Sequence, residues 1–81
     1  MRVCVKLFAA VRDIAGDEKV ELEVSSDADI SAVRAALIGK WPQLEPYAQF
    51  LNFAVNQTYA TAATRVAADD EIACIPPVSG G

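Results

Sequence analysis

Only one long stretch of this chain, "DISAVRAALIGKW" at residues 29–41, carries a helical period. Ile30, Val33, Leu37, Ile38 and Trp41 fall on one side of it at spacings of three and four. Asp29 is placed to cap the start, its carboxylate accepting from backbone N–H groups that have no partner in the first turn. Gly39 weakens the last turn by about 1 kcal/mol relative to alanine, and Pro42 cannot extend the hydrogen-bond ladder, so the helix ends near Lys40 or Trp41. A lone helix with one apolar side must be covered by something else. Eighty-one residues provide one modest core, burying roughly 60–65% of the surface of the unfolded chain. The rest of the sequence must therefore supply a sheet.

Period-two segments supply it on both sides of the helix. In "RVCVKLF" at 2–8, Val3, Val5 and Leu7 share the core face, leaving Cys4, Lys6 and Phe8 on the other. "AAVRDIA" at 9–15 is helix-compatible and stops at Gly16, which readily adopts the left-handed conformation. "EKVELEV" at 18–24 alternates strictly, with Val20, Leu22 and Val24 inward. "PQLEPYAQFL", with two prolines, reads as a loop with one short helical turn. "NFAVN" and "TYAT" form a hairpin about Asn56 and Gln57, with Phe53 and Val55 inward. The alanine-rich "AATRVAADD" leads into a last strand, "EIACIP", where Ile72 and Cys74 share one face and Ala73 and Ile75 the other. The order strand, strand, helix, strand, strand, strand predicts a single α+β domain over residues 1–81. Its mixed five-stranded sheet packs on one main helix and leaves the opposite face open.

Charge and composition narrow the function. Eleven acids against seven bases give a net charge of −4, which repels a phosphate backbone, so nucleic acid is not an expected partner. No apolar run approaches the ~20 residues of a membrane span and no signal peptide is evident, so no membrane partner is expected and the address is cytoplasmic. There is no histidine, which removes the commonest general base and metal ligand together. The two cysteines, Cys4 and Cys74, are too few for a zinc or iron–sulfur site and are placed on opposite faces of the sheet, away from a disulfide. No metal site is expected. The acids at Glu21, Glu23 and 69–71 look solvated, Ser25, Ser26 and Ser79 have no placed base, and the glycines match no phosphate-binding pattern. Catalysis by this chain alone is not expected.

The feature left unabsorbed is the ending, "PPVSGG". Pro76 and Pro77 hold the chain extended as it leaves the last strand, and Gly80 and Gly81 make a tip thin enough for a channel in which any Cβ would clash. Ordering such a tip costs about 1–2 kcal/mol per residue in backbone entropy. A partner must offset that through the globular surface and the tail residues around Val78 and Ser79.

With "KLFAAVRDIAG" near the start, "AVNQTY" in the second half and "DDEIACI" before the tail, the chain resembles, over its whole length, the MoaD-type sulfur carriers, the small subunits of molybdopterin synthase. The resemblance implies a β-grasp, ubiquitin-like fold with a projecting Gly-Gly tail. It further implies that the Gly81 carboxylate is adenylated by a ubiquitin-activating-like adenylyltransferase using ATP and magnesium, this chain binding no cofactor itself. The terminus then becomes a thiocarboxylate, its sulfur coming from a cysteine desulfurase or a rhodanese-like protein. Within the large synthase subunit it donates that sulfur to form the molybdopterin dithiolene, Pro76, Pro77, Val78, Ser79 and Gly80 entering the partner with Gly81. A hetero-tetramer with two large subunits is the family's assembly. Phe8, Arg12, Tyr59 and Ile75 sit where the family places partner-binding residues, Tyr59 and Ile75 at positions often held there by Leu and Phe. Two alternatives share the tail: a thiamine-pathway carrier, and a ubiquitin-like modifier or binding module that transfers no sulfur.

Overall fold

The computed structural model describes residues 1–76. The residues of the tail from Pro77 to Gly81 lie outside the described residues. The elements, in chain order, are β1 (Arg2–Leu7), α1 (Ala9–Ala15), β2 (Lys19–Glu23), α2 (Ile30–Lys40), a 3₁₀ segment (Pro42–Phe50), β3 (Asn52–Val55), β4 (Thr58–Ala60) and β5 (Glu71–Ile75). The strands form one sheet in the order β2-β1-β5-β3-β4. β1 and β5 run parallel, and the other neighbours are antiparallel. The first and last strands of the chain thus lie side by side within the sheet.

Alternation fixes which face is buried. Val3, Val5, Leu7, Val20, Leu22, Phe53, Ile72 and Cys74 point to one side and are buried there beneath Ile30, Val33 and Leu37 of α2. Ile38 and Trp41, expected on the same helical face, are half-buried at its rim. The helix begins where the sequence placed it. Asp29 is extended and its Oδ1 accepts from the Ala32 N–H at 3.0 Å. The N–H groups of Ile30 and Ser31, also orphans of the first turn, donate to the carbonyls of Thr64 (2.9 Å) and Ala62 (3.0 Å). These last contacts depend on a segment far along the chain.

Two segments differ from the sequence reading. The expected loop after α2 is instead a nine-residue 3₁₀ segment with Pro46 inside it. Leu44, fully buried, and Leu51, 3% exposed, extend the core from it, and this burial holds a conformation rarely sustained for more than three or four residues. The alanine-rich stretch before β5 carries a core residue too: Val66 is 6% exposed, and its N–H donates to the Ala28 carbonyl at 3.1 Å.

Candidate functional site

On the face of the sheet turned away from α2, small side chains form a floor and large ones a rim. Ala54 of β3 and Ala73 of β5 are register partners at its centre. Phe8, Tyr59 and Ile75 stand round them, with Lys6, Gln57 and Glu71 as polar neighbours, enclosing a depression of about 290 Å³. Phe8 is 44% and Tyr59 74% exposed, whereas Ile75 is half-buried. Two exposed aromatic rings thus stand beside polar groups on one open face of the sheet. Lys6 and Glu71 form an exposed ion pair at 3.6 Å.

Local backbone geometry presents the two rings. Phe8 is extended (φ −127, ψ 153), and the chain turns into α1 at Ala9 with φ 50, an unusual value for a residue bearing a Cβ. This turn puts Phe8 at the mouth of the depression. Tyr59 follows a tight turn in which Asn56 (φ 51) and Gln57 (φ 70) are both left-handed, the geometry of a two-residue hairpin loop. Asn56 ties that turn to the start of β5. Its Nδ2 donates to Asp70 Oδ1, and its Oδ1 accepts from the Glu71 N–H, each at 3.0 Å.

Arg12 lies in a neighbouring depression of about 360 Å³ with Lys6, Phe8, Glu18 and Lys19. Phe8 and Lys6 belong to both hollows, so the four surface residues expected from the sequence form one continuous patch with a basic flank at Lys6, Arg12 and Lys19. Lys6 and Lys19 were not singled out in the sequence, although the alternation of β1 already put Lys6 beside Phe8. From Ile75 the chain passes to half-buried Pro76, next to this patch. Pro77, Val78, Ser79, Gly80 and Gly81 lie outside the described residues.

The cysteines separate as strand parity required. Cys4 is half-buried on the open face and Cys74 fully buried on the other, both as free thiols. Burial pushes the Cys74 thiol up to about 12, against a smaller opposing pull from the Arg34 guanidinium. Such a thiol is inert near neutral pH. Among the described residues there is no group of three or more His, Cys, Asp or Glu side chains able to hold a metal ion, and no helix long and apolar enough to cross a membrane.

A helix laid across a mixed sheet whose first and last strands run parallel beside one another is the β-grasp architecture of ubiquitin-like proteins. Within that class the chain belongs to the ThiS family, which it matches over residues 5–81. It is 36% identical to small archaeal modifier protein 1 of Haloferax volcanii, over 94% of this chain and 97% of that protein. The crystal structure of that modifier superimposes with a TM-score of 0.86 at 34% identity, covering 100% of both chains. It is 35% identical to the molybdopterin synthase sulfur carrier subunit of Mycobacterium tuberculosis, over 100% of this chain and 99% of that one. A chain in the complex of subunits 1 and 2 of the molybdopterin-converting factor from Helicobacter pylori shares the fold, with a TM-score of 0.68 at 23% identity and 100% coverage of both.

Proposed function

We propose that this protein is the sulfur carrier subunit of a molybdopterin synthase, working through the carboxylate of Gly81. The observation that carries the reading is the full-length, 35% identity to a sulfur carrier subunit of that enzyme, in a chain that ends "PPVSGG". A carboxylate is a poor acyl donor. Attack of a Gly81 oxygen on the α-phosphate of ATP, with release of pyrophosphate, gives an acyl adenylate whose AMP is a good leaving group. The outer sulfur of a persulfide carried by a cysteine desulfurase or rhodanese-like protein then attacks the acyl carbon and displaces AMP, and a second thiol cleaves the resulting acyl disulfide, leaving the thiocarboxylate and a disulfide on the donor. ATP and its magnesium belong to the activating enzyme. Transfer of the sulfur to the pterin precursor in the large subunit regenerates the carboxylate.

The chain's own part is binding and reach. Phe8, Tyr59 and Ile75 give the large subunit an apolar landing area and Arg12 a charged flank, so that the contacts of the domain offset the cost of ordering the tail. ATP and free thiols coexist in the cytoplasm, which is where this chemistry belongs. The 36% identity to a small archaeal modifier favours one other reading, in which the same activated Gly81 ends in an isopeptide bond.

Intact mass separates the two. Incubation with the adenylyltransferase, ATP and a sulfur source is expected to make the C-terminal fragment about 16 Da heavier, oxygen having been replaced by sulfur at the acyl carbon. Lysine-linked conjugates without that species would establish the modifier instead. Deleting Gly81 is expected to abolish molybdopterin formation while the circular dichroism spectrum stays unchanged, and retained sulfur transfer by the truncated chain would overturn the proposal. Complementation of strains lacking molybdopterin or thiamine synthesis assigns the pathway.

A further inference from the structure

Four large apolar side chains stand exposed among the described residues: Phe8, Tyr47, Phe50 and Tyr59. Phe8 and Tyr59 belong to the open-face patch. Tyr47, 47% exposed, and Phe50, 55% exposed, come instead from the 3₁₀ segment, where residues three apart share one side. Leu44, Tyr47 and Phe50 therefore form a single row that starts fully buried at Leu44 and leaves the core on its way to β3. The core is closed by Leu44 and Leu51, before and after these two rings.

Strand register brings the end of that row to the place where the tail begins. β1 is parallel to β5 with Leu7 opposite Cys74, so Phe8 comes level with Ile75 on one side. β3 is antiparallel to β5 with Asn52 opposite Ile75, so Phe50, two residues before Asn52, reaches the same end of the sheet on the other side. Neighbouring strands are about 4.8 Å apart. The root of the tail, at Pro76, thus lies between two segments that each carry an exposed aromatic ring, and Tyr47 follows Phe50 about 6 Å back along the 3₁₀ segment. Apolar surface is left open on both sides of the root and not on the sheet face alone.

We infer that Tyr47 and Phe50 are a second partner-binding element, an aromatic ledge against which the large synthase subunit rests the far lip of the pocket that takes Gly81. The inference rests on the sulfur-carrier reading and extends it to residues outside the face formed by Phe8, Tyr59 and Ile75. The five residues from Pro77 to Gly81 span at most about 17 Å. A pocket that receives all five has its mouth against the domain at Pro76, and a mouth surrounds the chain that enters it. Its lip then meets Phe8 and Ile75 on one side and Phe50 and Tyr47 on the other. Glu45 is the one charged residue of Pro42–Phe50, so the lip that fits this side is apolar.

Titration calorimetry of the full chain against the molybdopterin synthase large subunit of the same organism tests this. Phe50→Ser is expected to weaken binding about tenfold and Tyr47→Ser about threefold, as aromatic anchors do, while Glu21→Gln, on the edge strand β2, binds as the parent chain does. In molybdopterin formation the Phe50→Ser carrier is expected to show a KM raised by the same factor at unchanged kcat, since a lip contact is made equally before and during transfer. Thermal melts of the same samples separate lost binding from lost fold, and Tyr47→Ser carries the test if Phe50→Ser unfolds. Both variants binding as tightly as the parent while Ile75→Asp does not would overturn the inference and leave the sulfur-carrier reading standing. No binding by the parent chain would overturn both. Self-association of the parent that Phe50→Ser abolishes would also overturn the inference, by assigning the rings to a second copy of this chain.

Discussion

Ile75 and Cys74 are neighbours in the chain and opposites in environment, one looking onto the open face and the other sealed under α2. Replacing Ile75 by Asp is therefore expected to weaken binding of the large subunit proposed above at least about tenfold, a loss typical of an apolar anchor. The melting temperature should hardly move, and titration calorimetry beside a thermal melt checks both halves. For Cys74 the effect is on pH dependence. Its folded value of about 12 lies above the 9.0 of a free thiol, so the protonated thiol stabilises the fold fully below about pH 9. Between the two values the unfolded chain is ionised and the folded one is not, and stability falls by up to about 1.4 kcal/mol per pH unit. Denaturant unfolding from pH 8 to pH 11, compared with Cys74→Val, isolates this slope. Alternation in "EIACI" was enough to assign both side chains, because a strand offers only two directions.

At the scale of the element, the turn between β3 and β4 holds two residues with φ above zero that are not equivalent. Asn56 tolerates the left-handed region and is fixed there by Asp70 and Glu71, whereas the side chain of Gln57, at φ 70, bonds to neither of them. Asn56→Ala is expected to cost about 1–2 kcal/mol, having lost a fixed pair of hydrogen bonds. Gln57→Gly is expected to gain about 0.5–1 kcal/mol by relieving a conformation that costs a residue with a Cβ about that much. Chemical denaturation of the two variants should show opposite signs within one turn. The turn itself was legible, since Asn and Gln between two alternating runs leave few other options. The 3₁₀ segment was not, because its two prolines argue locally for a loop and only the burial of Leu44 and Leu51 sustains it.

For the molecule as a whole, the tie between α2 and the stretch before β5 joins the middle of the chain to its last strand. Val66 is part of the core although it lies in no helix or strand, and Val66→Ala is expected to destabilise by about 1–3 kcal/mol, like other truncations of buried side chains. Urea unfolding should show a lower midpoint with an unchanged slope, and a loss below about 0.3 kcal/mol would mean that this segment is ordinary surface. The same closure builds the candidate site. Phe8, just past the end of β1, Tyr59 of β4 and Ile75 of β5 meet only because β5 enters beside β1 and β3.

The amino-acid order alone determined the five strands, the main helix and its Asp29 cap, and the inward and outward sides of each strand, in a chain that has no histidine. Each of these follows from periods of two or about 3.6, from caps and from side-chain chemistry, all of which act over a few residues. Only the tertiary structure decided that β1 and β5 run parallel, that Val66 and Leu44 close the core, and that Lys6 and Lys19 flank Arg12. Those outcomes depend on which distant segments exclude water together, and a local pattern holds no record of its distant partner.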